Sequence, residues 1–149
     1  MLENFRQVGI RLDRAGTFWH QGEPIAHPRL AGALRRWLDV RPEDGRAILR
    51  LDDKRYAYVD VEDAFLLVES VRWEDDEPIA TLNDGSEEVL AADTVRIGPG
   101  FALYVLARHR KLLARLVPRA YYSLATRIEE RDDGFVLRAG GTYHPIGDL

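Results

Sequence analysis

The sequence predicts an α+β fold in which antiparallel sheets carry a repeated sheet-plus-helix motif. Three observations lead there. Two segments, 28–39 and 111–128, space their apolar residues at helical intervals, short β-rich runs bounded by Gly and Asp turns fill most of the remainder, and 46% hydrophobic with 31% charged residues in 149 is the composition of one ordinary folded domain.

The elements follow in order. Asp13-Arg14-Ala15-Gly16 is a turn, and Thr17-Phe18-Trp19-His20 is a short aromatic strand that ends at Gln21-Gly22-Glu23-Pro24, an opening hairpin. Pro28 suits a helix start, and Leu30, Leu34, Trp37 and Leu38 then make one apolar stripe, so residues 28–39 are an amphipathic helix. Ala47–Leu51, Arg55–Val61 and Phe65–Trp73 alternate between charged turns and read as three antiparallel strands. Ile79–Leu82 and Glu87–Leu90 flank Asn83-Asp84-Gly85, whose Asp-Gly pair supplies the positive φ of a tight hairpin. Thr94–Ile97 and Phe101–Ala107 are β-rich around Gly98-Pro99-Gly100, and the sheet is expected to end near Arg108. From Lys111 to Ile128 the spacing is helical, but Pro118 cannot lie inside a helix, so the expectation is a short helix to about Leu116 and a second from Pro118. A final strand pair, Phe135–Arg138 and Thr142–Ile146, closes around Gly140-Gly141. Gly16 to Gly22 and Gly134 to Gly140 share a spacing, and each precedes a Pro-Ile pair, which suggests an internal repeat.

Charge is segregated along the chain. Residues 1–38 carry six basic and three acidic side chains, 39–93 six and seventeen, and 94–149 nine and five, within a net charge of −4. A basic end beside an acidic middle favours attraction between the two in the folded molecule. Alternatively the basic segment meets an anionic ligand or nucleic acid.

Absences exclude several chemistries. There is no Cys, hence no disulfide, thiolate metal site or Cys nucleophile, and the charges within Met1–Leu12 interrupt any membrane-spanning run, so the chain reads as cytoplasmic. No P-loop or dinucleotide fingerprint occurs, and the dispersed His20, His27, His109 and His144 form no local metal pair. Neither a cofactor nor a metal is expected. Ser70, Ser86 and Ser123 lie outside any nucleophile elbow. The candidates that remain are Arg108, Arg115 and Arg119 with Tyr121, Tyr122, Tyr143 and His144, since guanidinium forks and phenol faces together line anion or peptide grooves. The competing account packs Tyr121 into the core and leaves Tyr122 on the surface. Glu62 and Asp63 are the paired acids available for general acid–base work.

Five segments taken in order resemble the bacterial domain-of-unknown-function family 1285. They are Gly16–Ile25, Val61–Phe65, Thr81–Gly85, Ala114-Arg115 with Arg119–Tyr122, and Gly140–Ile146. The resemblance implies a duplicated α+β motif, a second half similar to pleckstrin-homology-like domains, and a ligand site between the halves in a signal-transduction context. The halves are expected at 1–76 and 77–149, packed as one compact unit.

Three functions stand at this point. The leading one is a non-catalytic binding module for a protein segment or small anionic ligand, using the Arg and Tyr set with Glu62 and Asp63. The second is a small hydrolase or isomerase that uses Glu62, Asp63 and a histidine. The third is nucleic-acid binding through 108–131, against which the acidic middle argues. A homodimer is a further expectation, because so much sheet leaves strand edges to cover.

Overall fold

The structure, a computed structural model, describes residues 7–149, so the first half of the charge-interrupted N-terminal stretch lies outside the described residues. The chain divides into two compact units, Met1–Phe65 and Leu66–Leu149. No helix among the described residues is long and apolar enough to cross a membrane.

The first unit contains β1 (Ile10–Leu12), β2 (Phe18–His20), β3 (Glu23–Pro24), α1 (Pro28–Trp37), β4 (Leu38–Val40), β5 (Ala47–Arg50) and β6 (Tyr56–Val61). Its sheet order is β3-β2-β1-β6-β5-β4, antiparallel except for the parallel pair β1/β6 at the centre. The β1–β2 turn is fixed by Asp13, whose carboxylate accepts from Thr17 N at 2.9 Å and from the Trp19 indole N–H at 2.9 Å. Pro28 opens α1, and the His27 ring nitrogen accepts from Leu30 N. Leu34 is buried beneath the helix, whereas Leu30 of the expected apolar stripe is 46% exposed.

The second unit contains β7 (Leu66–Glu74), β8 (Glu77–Leu82), β9 (Glu87–Val89), β10 (Arg96–Ile97), β11 (Leu103–Ala107), β12 (Leu112–Leu116), α2 (Pro118–Ala125), β13 (Ile128–Arg131), β14 (Gly134–Ala139) and β15 (Thr142–Asp148). The sheet order is β13-β14-β15-β10-β11-β12-β7-β8-β9, with parallel pairs β10/β15 and β12/β7. This sheet curls until its hairpin tips meet: Gly140 N donates to Asp76 O at 2.8 Å, Gly141 N to the Asp76 carboxylate at 2.6 Å, and Arg127 to the same carboxylate at 2.6 Å. α2 lies on β7, where Ser123 Oγ donates to Val71 O at 2.6 Å and Trp73 Nε1 to Ser123 O at 3.2 Å.

Several expectations need correction. The sheet does not end near Arg108, and the helix expected from Lys111 is strand β12. Leu112, Ala114 and Leu116 are buried while Leu113 and Arg115 are half-exposed, a period of two that pairs with β11 and β7. Pro118 as a helix start holds, but the helix stops at Ala125 and Ile128 begins β13. Phe65–Trp73 is not the third member of an antiparallel trio with the two strands before it. The strand runs from Leu66 to Glu74, belongs to the second unit, and pairs with β8 and β12.

The two units share one arrangement of strands, which does not coincide with the shared glycine spacing. Each unit holds three antiparallel strands, a helix opened by Pro-Arg, and three more strands, with the first strand of the first trio paired parallel to the last strand of the second. In this scheme β1–β6 with α1 corresponds to β10–β15 with α2, and β7–β9 have no counterpart in the first unit. Gly16–Gly22 covers the second strand of its set and Gly134–Gly140 the fifth, so the two are not equivalent.

A candidate ligand pocket in the second unit

The inward face of the curled sheet is set by register. Glu130, Phe135 and Ile146 form one cross-strand row, Ile128, Leu137 and His144 the next, and Ile97 pairs with Leu103 on β10/β11. Deeper in, Val105, Ala114 and Leu66 fill the core and are almost wholly buried. On α2, Ala120 and Leu124 are fully buried, and Tyr121 and Ala125, one turn apart, flank them.

Filling stops short of the open end. A cavity of about 250 Å³ remains there, lined by Ile97, Leu103, Ile128, Phe135 and Ile146 from five strands, Tyr121 and Ala125 from α2, Phe101 from the β10–β11 turn, and Glu130. Glu130, an exposed residue, is the one lining residue that carries a formal charge. Phe101 is 75% exposed at the mouth and has φ +63°, a left-handed conformation that costs a non-glycine residue about 1–2 kcal/mol. The turn carrying it needs Gly98, where a Cβ would meet the Tyr104 ring at 2.4 Å.

The residues singled out by sequence are scattered. Arg115, Tyr121 and Tyr122 do come together, with Leu116 and Pro118, around a shallow groove, and the two tyrosine rings meet edge to face at 5.9 Å. Tyr121 also lines the apolar pocket, while Tyr122 is 71% exposed. Arg119 is exposed, with Nε 3.4 Å from Glu69 O. Tyr143 lies under the Arg131 guanidinium at 3.9 Å. Arg108 donates to Asp84 at 2.8 Å, and its backbone N–H to Glu88. His144 has Nε2 at 3.2 Å from Ala139 O and lines a separate cleft of mixed polarity with His109, Arg110, Asp93, Leu90 and Leu106. In that cleft Arg110 grips Asp93 through two bonds of 2.8 and 2.9 Å, which hold the Asp93 carboxyl below the usual carboxylate range.

In the first unit, Glu62 accepts from Arg14 N at 3.0 Å and lies 3.8 Å from Arg11, and Asp63 pairs with Arg14 at 3.1 Å. Among the described residues no group of three or more His, Asp or Glu side chains is arranged to hold a metal.

The basic 108–131 segment meets acids from the middle of the chain: Arg108 with Asp84, Arg110 with Asp93, and Arg127 with Asp76, beside the local pair Arg131–Glu129. Attraction between basic end and acidic middle is thus realised inside the second unit. Sequence reasoning missed Phe101, Glu130, Phe135 and Ile146. An exposed aromatic directly after Gly-Pro-Gly was the one signal available for Phe101, and nothing in the sequence alone set Glu130 apart from Glu129.

No family model and no curated protein matches the chain. Two solved structures are similar. A DUF1285 family protein from Silicibacter pomeroyi DSS-3 aligns over 93% of this chain and 79% of its own, with 23% identity and a TM-score of 0.77. A DUF1285 family protein from Shewanella baltica OS155 aligns over 79% of this chain and 91% of its own, with 17% identity and a TM-score of 0.65. The α+β fold of this chain is therefore that of two DUF1285 family proteins, in line with the resemblance its motifs carry.

Proposed function

We propose that the protein is a non-catalytic binding module whose ligand enters the pocket of the second unit. The observation that carries this reading is a cavity of about 250 Å³ with an apolar lining, one acidic residue and an exposed aromatic lip. Such concave apolar sites with few polar groups are where ligands bind. The left-handed Phe101 supports it, since a bulky residue kept in a strained conformation at a pocket mouth points to use of its side chain there. Of the residues expected from sequence, Tyr121 belongs to this site directly, with Arg115 and Tyr122 in the adjoining groove. The charge in the pocket has the sign opposite to that of the anion site expected from the Arg and Tyr set.

The matching strand order of the two units supports descent by duplication. A curled sheet with a helix against it supports likening the second unit to pleckstrin-homology-like domains, and a site without catalytic groups suits a role in signal transduction. The test is titration with the neutral dye Nile red. Saturable fluorescence that is lost in Ala125→Phe, at unchanged far-UV circular dichroism, supports the reading. Equal binding by that variant overturns it.

A further inference from the structure

The first unit shows what fills the corresponding place in its own sheet. Leu12 pairs with Phe18 as Ile97 pairs with Leu103, and each pair closes a turn of the same length bonded in the same way. Asp13 N donates to Thr17 O at 3.0 Å and Gly16 N to Asp13 O at 3.1 Å, while Gly98 N donates to Ala102 O at 2.8 Å and Phe101 N to Gly98 O at 3.1 Å. Glu62 N donates to Leu12 O at 2.9 Å as Leu149 N does to Ile97 O at 2.8 Å. Both helices begin Pro-Arg and bury a leucine at the same step, Leu34 and Leu124, so that Arg35 corresponds to Ala125. In the strand after each helix, Leu38 pairs with Leu49 and Val40 with Ala47, matching Ile128 with Leu137 and Glu130 with Phe135.

These equivalences place Arg35 of the first unit where the pocket opens in the second. The Arg35 guanidinium stacks over the Phe18 ring at 5.4 Å and donates to the Gly16 carbonyl. The second unit has Leu103 in place of Phe18 and Phe101 in place of Gly16, but the helix offers only Ala125. It has therefore lost the cation, and it has gained a carboxylate, Glu130, where the first unit has Val40. Glu129, on the opposite face of β13, is paired with Arg131 and Arg138 at 3.6 Å each, whereas among the described residues no ion pair reaches Glu130.

On the reading that this pocket binds a ligand, we propose that it takes an alkylguanidinium group, presented as the arginine side chain of a peptide. The stem lies against Leu103, Ile128 and Ile146, and the guanidinium meets Glu130, with which it can form two parallel charge-assisted hydrogen bonds. The peptide source rests on the exposed Phe101 and Phe135 at 75% and 42%, apolar surface outside the cavity that a free cation would leave uncovered.

The test is calorimetric titration of the full chain with Nα-acetyl-arginine N-methylamide, its citrulline and norleucine counterparts, and n-butylguanidinium. The blocked arginine is expected to bind at least tenfold more tightly than blocked citrulline, an isostere without the charge. Glu130→Gln removes that preference, as does Glu130→Val, which restores the first unit's residue. Ala125→Arg supplies the group from within and abolishes binding of the blocked arginine. Norleucine binding tightest, unchanged by Glu130→Gln, overturns the guanidinium assignment while leaving a ligand pocket. Tighter binding of n-butylguanidinium than of the blocked arginine overturns the peptide source. Full binding by Ala125→Arg overturns the equivalence with Arg35. Failure of all four probes overturns the guanidinium assignment, and failure of Nile red as well overturns the pocket reading itself.

Discussion

Replacing Ala125 by leucine fills the pocket from the helix side. Leucine adds three carbons to alanine, and at about 0.8 kcal/mol per buried methylene their complete burial contributes about 2 kcal/mol. Ordering the new side chain costs about 0.5–1 kcal/mol. The cavity of about 250 Å³ beside Ala125 leaves room without displacing the lining. The net expectation is a gain of about 1 kcal/mol, or about 2–4 °C in Tm for a chain of this size. Thermal and urea unfolding followed by circular dichroism reads it directly. Ala120→Leu is the control, because Ala120 is fully buried and is not among the residues that line the cavity, and overpacking there costs about 1–3 kcal/mol. If Ala125→Leu destabilises as much as Ala120→Leu, the space is not there and the reasoning fails.

Other outcomes follow from the same geometry. Phe101→Gly relieves the left-handed backbone but adds unfolded-state entropy, so it is expected to raise stability by about 0.5 kcal/mol while weakening Nile red binding, and a fall in Tm contradicts the strain argument. Arg127→Ala removes a guanidinium stacked at 4.2 Å on Trp73 and bonded to Asp76, for an expected loss of about 1–2 kcal/mol in urea unfolding; an unchanged midpoint contradicts it. Asp76, Asp84 and Asp93 are all held below the usual carboxylate range. For Asp76 the chief cause is the Gly141 backbone N–H, for Asp93 it is Arg110, and for Asp84 burial opposes but is outweighed by Ser86 and Arg108. A carboxyl depressed in the native state adds stability that is complete above its unfolded value of about 3.9 and is lost as pH falls through the native value. Tm is therefore expected to hold from about pH 7 to 5 and drop below about pH 4. Asp76→Asn should shallow that drop, and no dependence on Asp76 would contradict the assignment.

What the sequence made legible was mostly local. Asp13 before Gly16, Asp84-Gly85 and Gly140-Gly141 marked turns because their backbone demands are met by the residues themselves. Pro28 and Pro118 marked helix starts for the same reason. Long-range pairing was not legible. Leu112-Leu113-Ala114-Arg115-Leu116 satisfies both a helical and an alternating pattern, and only pairing with β7 and β11 decides between them. Read as helix, β12 is missing from the trio β10–β12, and without it the strand order that the two units share does not show in the sequence. Long-range pairing also decides what the expected arginines meet: Arg108 is engaged by Asp84, an acid distant in sequence, whereas Arg115 lines a groove with Tyr121 and Tyr122. The pocket, by contrast, is lined by residues from five strands, a turn and a helix, which no motif announces.

An arginine-bearing peptide that occupies in the second unit the place Arg35 fills in the first must touch the isoleucines around that pocket. Methyl NMR on isoleucine-labelled protein, titrated with Nα-acetyl-arginine N-methylamide, is expected to show saturable shifts at Ile97, Ile128 and Ile146, which line the pocket, and none at Ile10, Ile25, Ile48 and Ile79. Shifts absent from the first three, or spread evenly over all seven, contradict it.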